Sequence, residues 1–117
     1  MSDSAALNAD LHLAPAHRAL VQTILADHLP QARVLAFGSR AAGTPRKYSD
    51  LDLAVIQPEP LTLRVISRLK TAFEDSDLPI CVDVVDWNQA DNEFKAMVTK
   101  QGMVELQHRR QQTLLKQ

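Results

Sequence analysis

The spacing of apolar positions divides the chain into a short series of helices and strands. Residues 1–13 read as loose and polar. Leu20, Val21, Ile24 and Leu25 recur at helical spacing and predict a first helix over residues 14–29, opened by Pro15 and stopped by Pro30. A compact apolar run predicts a strand over 33–37. Residues 39–43 suit a short helical turn, and 44–49 form a loop punctuated by Pro45. A second strand is expected over 51–57, stopped by Pro58 and Pro60. It is followed by a helix over 61–75 with Val65, Ile66, Leu69 and Phe73 inward. A third strand is expected over 80–87. Asn88 then caps a last helix in which Phe94, Met97 and Val98 face the core and Gly102 makes the stop. Residues 103–106 are apolar enough to pack, and the polar stretch beyond reads as a tail over 107–117. The order helix, strand, strand, helix, strand, helix predicts an α/β or α+β domain with a small mixed sheet flanked by helices.

Composition narrows the class. At 117 residues the chain is expected to be one domain spanning 1–117. It is 45% hydrophobic and 23% charged, the balance of an ordinary globular protein. A formal charge of −1 gives no support for a broad nucleic-acid-binding surface, so direct nucleic-acid binding is not expected. No apolar run reaches the roughly 20 residues that cross a bilayer. The start of the chain lacks the basic and apolar segments of a signal peptide. The single cysteine, Cys81, excludes an internal disulfide framework and points to a reducing cytoplasm. Cys81 itself reads as a small buried hydrophobe. His12, His17, His28 and His108 show no metal-ligand spacing, and Trp87 and Phe94 read as core residues.

The chemistry is concentrated between residues 38 and 52. Gly38-Ser39 closes one apolar run, ten residues intervene, and Asp50-Leu51-Asp52 opens the next. Gly38 lets the backbone approach a phosphate closely, and Ser39 adds a hydroxyl and an amide at a helix start. Arg40, Arg46 and Lys47 are candidate clamps for a triphosphate, with plain solvation as the alternative reading of each. Asp50 and Asp52 point to one side of a strand. Adjacent carboxylates repel unless a cation lies between them, and Mg²⁺ accepts carboxylates, phosphate oxygens and waters. Taken alone, Asp-x-Asp more often means a solvated acidic loop; the neighbouring phosphate turn reverses that balance. A third carboxylate is expected on the next strand. Asp83, embedded among apolar residues, is chosen because a lone buried carboxylate needs a metal or a partner. Asp86 falls on the opposite face, near the cap of the next helix.

The pattern Phe37-Gly38-Ser39-Arg40-Ala41-Ala42-Gly43, then Ser49-Asp50-Leu51-Asp52-Leu53, then Val82-Asp83-Val84-Val85-Asp86 resembles the minimal nucleotidyltransferases of the DNA-polymerase-β-like superfamily, over about residues 34–101. The resemblance implies the polymerase-β-like fold, with Ser39 holding the nucleotide's phosphates. It implies that Asp50, Asp52 and Asp83 form the catalytic and metal-binding set for two Mg²⁺ ions, and that Asp83 helps deprotonate an attacking hydroxyl. ATP is the implied substrate, and transfer of AMP the implied reaction. Only about 15 residues follow Gly102, too few for an acceptor-binding domain, so the acceptor is expected to come with another chain. Small proteins of this family are often paired with an all-helical HEPN toxin, whose tyrosine the transferase, as antitoxin, adenylylates. That is the leading expectation. The alternatives are the catalytic subunit of a two-component enzyme acting on a small molecule, and a non-catalytic antitoxin that neutralises by binding.

Overall fold

The computed structural model describes residues 11–43 and 49–108. Among the described residues four helices and a four-stranded mixed sheet alternate: α1 (Pro15–His28), β1 (Arg33–Phe37), α2 (Ser39–Ala42), β2 (Leu51–Ile56), α3 (Leu63–Glu74), β3 (Val82–Asp86), α4 (Asn92–Gln101) and β4 (Val104–Gln107). The strand order is β3-β2-β1-β4. β1 pairs antiparallel with β2 and with β4, and β2 pairs parallel with β3. The two central strands are therefore the two that flank the Gly38-Ser39 turn and its acidic counterpart.

Period-two alternation sends the strands' side chains into two unequal clusters. Val34, Ala36, Leu51, Leu53, Val55 and Val82 join Val21, Ile24 and Leu25 of α1 and Leu69 and Phe73 of α3 in the main core. On the other face Phe37, Ala54 and Val98 are buried, with Val85, Trp87, Phe94 and Met103 packed around them. Phe37 meets Phe94 edge-to-face at 5.7 Å, an arrangement the ring quadrupoles favour. Two helices thus seal one face, while α4 and the preceding 3-10 turn (Trp87–Gln89) cover part of the other.

Helix boundaries follow local chemistry. Pro15 occupies the first turn of α1. The Thr62 hydroxyl accepts a hydrogen bond from the Val65 amide at the start of α3. Several expectations need correction. Asp91, not Asn88, caps α4, its carboxylate accepting from the Phe94 amide at 2.8 Å. Asn88 instead lies in the 3-10 turn, where its own backbone amide donates to the Asp86 carboxylate. Met97 is 50% exposed, because α4 shows the sheet only a narrow stripe centred on Val98. Ile66 is only partly buried for the same kind of reason, with Leu69 and Phe73 on the inward line of α3. The third strand begins at Val82, after Pro79, rather than at residue 80. The apolar stretch expected only to pack forms a fourth strand over Val104–Gln107, which takes in Gln107, the first residue of the expected tail. The Gln107 side-chain Nε2 donates to the carbonyls of Leu29 and Ala32 at 2.7 and 3.0 Å. Leu11 is buried in the main core, so the loose start expected over 1–13 does not extend to it. Residues 1–10 and 109–117 lie outside the described residues.

Candidate active site

Gly38 ends β1 with φ of 79°, a left-handed conformation that glycine adopts without steric cost. The position excludes a side chain for a second reason. A Cβ there would overlap the Asp52 carboxylate. The chain then coils at once into α2: the amides of Ala41 and Ala42 donate to the Gly38 carbonyl at 3.1 and 2.8 Å. Gly43, at φ 87°, closes the turn by donating to the Ser39 carbonyl. The Gly38-Ser39 turn is therefore packed directly against one of the motif carboxylates.

Sheet register assembles the acidic side. Asp52 is the partner of Phe37 on β1 and of Asp83 on β3. Alternation puts Asp52 with Ala54, and Asp83 with Val85, on the partly covered face of the sheet. Asp50 stands exposed immediately before β2, and the following amide, of Leu51, donates to the Cys81 carbonyl at 2.9 Å. The Asp52 carboxyl is pushed above the usual carboxylate value, first by burial and then by the negative charges of Asp83 and Asp50.

That uncompensated charge is the structural mark of a cation-seeking site, and an all-oxygen donor set suits Mg²⁺. As the side chains stand, no three metal-capable groups among the described residues are close enough to enclose an ion. The residue types and the repulsion at Asp52 fit a divalent metal.

Two readings of the sequence change here. Asp83 is exposed, not embedded, because β3 is an edge strand at the end of the sheet that α4 leaves bare. What ties Asp83 to Asp52 is register rather than the cost of burial. Cys81 is likewise exposed, not a buried hydrophobe. With Lys70, Glu74, Pro79 and Asp83 it lines a groove of about 410 Å³ on the outer side of β3.

Arg40 departs furthest from expectation. Its side chain is buried, and it donates to the carbonyls of Ser49 at 2.9 Å and His12 at 2.7 Å, rather than reaching out as a triphosphate clamp. Arg46 and Lys47 lie outside the described residues. Asp86 behaves as a structural group, its carboxylate accepting from the amides of Leu61 and Asn88, both at 3.1 Å. The contributions of His12 and Ser49 had no signal in the sequence, since both act through backbone atoms.

Comparison with known proteins agrees with this geometry. The polymerase beta nucleotidyltransferase family model matches residues 21–110. The chain is 46% identical over 92 residues to the probable protein adenylyltransferase MntA of Haemophilus influenzae, covering 79% of this chain and 81% of that protein. Among solved structures, a chain of a toxin–antitoxin structure with AMP-PNP superposes with a TM-score of 0.64 at 25% identity, over 77% of this chain and 72% of that one. A chain from a mutant of the toxin–antitoxin pair MntA–HpeT superposes with a TM-score of 0.57 at 30% identity, over 70% and 66% of the two chains.

Proposed function

This chain belongs to the polymerase β nucleotidyltransferase family, and we propose that within it the protein is a Mg²⁺-dependent adenylyltransferase that moves AMP from ATP onto a tyrosine hydroxyl of a partner HEPN toxin, and so acts as the antitoxin. The observation that carries the reading is the Asp52 carboxylate, lying against the Gly38-Ser39 turn and in register with Asp83, with its proton affinity raised first by burial and then by both acidic neighbours. The relative named as a protein adenylyltransferase and the AMP-PNP-bound toxin–antitoxin structure support the donor and the kind of acceptor.

In this reading the Gly38-Ser39 turn binds the phosphates of ATP through backbone amides and the Ser39 hydroxyl. Asp50, Asp52 and Asp83 would hold Mg²⁺, which when bound supplies charge neutralisation for the transfer. Asp83, on the exposed edge strand, takes the proton of the incoming tyrosine hydroxyl. The tyrosine oxygen forms its bond to the α-phosphorus as the bond to pyrophosphate breaks, and pyrophosphate leaves. Most of the rate enhancement then comes from positioning and charge stabilisation. The exposed, unpaired Cys81 suits a reducing cytoplasm as the place of action.

The test is incubation of the purified protein with ATP labelled at the α-phosphate, Mg²⁺ and the HEPN protein encoded beside it. Label on a tyrosine of the partner, lost with Asp52→Asn, is the expected result. A partner that stays unmodified, or one still neutralised in full by Asp52→Asn, overturns the proposal in favour of contact alone.

A further inference from the structure

Arg40 is the one polar or charged residue buried among the described residues, at 9% exposure. Its Nε donates to the Ser49 carbonyl at 2.9 Å and its Nη1 to the His12 carbonyl at 2.7 Å. Its own carbonyl accepts from the His12 amide at 2.9 Å, and Leu11 beside it is sunk in the core. Charge-assisted bonds of this kind are short and roughly twice as strong as neutral ones, and they are costly to break in a buried place. Arg40 therefore joins three stretches: the start of the described chain, the phosphate turn it belongs to, and the residue just before Asp50.

The last of these matters for chemistry. Asp50 lies outside the strand ladder, which begins at Leu51. Its backbone is fixed on one side by the bond from the Leu51 amide to the Cys81 carbonyl, and on the other by the grip of Arg40 on Ser49. We propose that Arg40 is a positioning residue, which sets the Asp50 carboxylate relative to the Gly38-Ser39 turn and so tunes metal affinity without touching the nucleotide. Lysine cannot replace it, because one ammonium on a flexible stem does not reproduce the planar fork that reaches two carbonyls. The inference rests on the proposed metal-binding role of the motif carboxylates.

Arg40→Lys and Arg40→Gln, compared with wild type, test it through Mn²⁺ binding followed by electron paramagnetic resonance, ATP kinetics and thermal melting. Loss of an outer partner that orients a ligand is expected to weaken Mn²⁺ binding and lower kcat by about tenfold each. KM for ATP should stay nearly constant and the melt cooperative. Unchanged Mn²⁺ affinity in a cooperatively melting variant overturns the proposal. So does a rise in KM for ATP with kcat and Mn²⁺ binding intact, which would mark a phosphate clamp. Should neither variant fold, through-hydrogen-bond NMR coupling from Arg40 Nε to the Ser49 carbonyl in wild type decides whether the strut exists, and its absence overturns the proposal. A wild type that binds no Mn²⁺ while showing that coupling removes the metal reading itself, a failure distinct from a missing strut.

Discussion

On one face of the sheet Leu51, Leu53 and Val55 are wholly buried beneath α1 and α3; on the other Asp52, threaded between them in the same strand, stands on a face that α4 only partly covers. One strand thus serves two opposed purposes at a spacing of one residue. The sealed face removes apolar surface from water and holds the sheet together. The half-open face leaves carboxylates where a polar ligand can reach them, at a cost in stability, since Asp52 is partly desolvated beside two like charges. A strand can carry both because its side chains alternate strictly, so the stabilising and destabilising positions do not compete for the same space.

The contrast is sharpest at Asp52 itself. Asp52→Asn should lower AMP transfer by about 10³-fold, the scale of several kcal/mol of lost transition-state charge stabilisation. It should also raise the melting temperature at pH 7 by a few degrees, a scale of about 1 kcal/mol in a domain of this size. The sign follows from the raised pKa. Ionised Asp52 destabilises the fold at neutral pH, and that cost vanishes once the carboxyl is protonated in both states, below its ordinary value of 3.8. The stability gain of the variant should therefore fade on acidification through that range. Melting curves from pH 3 to 7 check this, and a variant less stable than wild type at pH 7 would break the comparison.

Leu53→Ala, one residue away, should do the reverse. Emptying a fully buried core site costs about 2–5 kcal/mol, and denaturant titration should show it. Transfer per folded molecule should stay within a few-fold of wild type.

Gly38→Ala strikes where the faces meet the turn. The strained φ costs about 1–3 kcal/mol, and displacement of the Asp52 carboxylate should reduce transfer by up to about 100-fold. A variant with full activity would show that the close packing of Gly38 on Asp52 is incidental.

The smallest effect is expected far from the site. Burial pushes the Glu105 carboxyl up, but hydrogen bonds from Arg33 at 2.6 Å and His108 at 3.3 Å outweigh it and hold the group below its ordinary value of 4.5. Its contribution is present above that value and is lost as the pH falls through the lowered one. Because the pair is part exposed, Glu105→Gln should cost under about 1 kcal/mol at pH 7, with the difference gone in acid.

The strand and helix pattern was legible because each apolar run has one dominant period and is bounded by proline or glycine. Val34 to Phe37 and Leu51 to Ile56 could be little else, and the phosphate turn with its two carboxylates sits in the link between them. β4 was not legible: four residues with two buried side chains carry too short a period to distinguish a strand from a packed tail. Asp83 does lie in register with Asp52, but it is exposed, so burial does not single it out. The sequence alone determined the order of elements and the residue types of the site, since local periodicity and stereochemistry act over a few neighbours. Only the tertiary structure decided that β3 lies at the sheet edge in parallel register with β2, that Cys81 and Asp83 are exposed, and that Arg40 turns inward to Ser49 and His12. Those outcomes depend on contacts between segments far apart in the chain or made through backbone atoms, which no local pattern of side chains encodes.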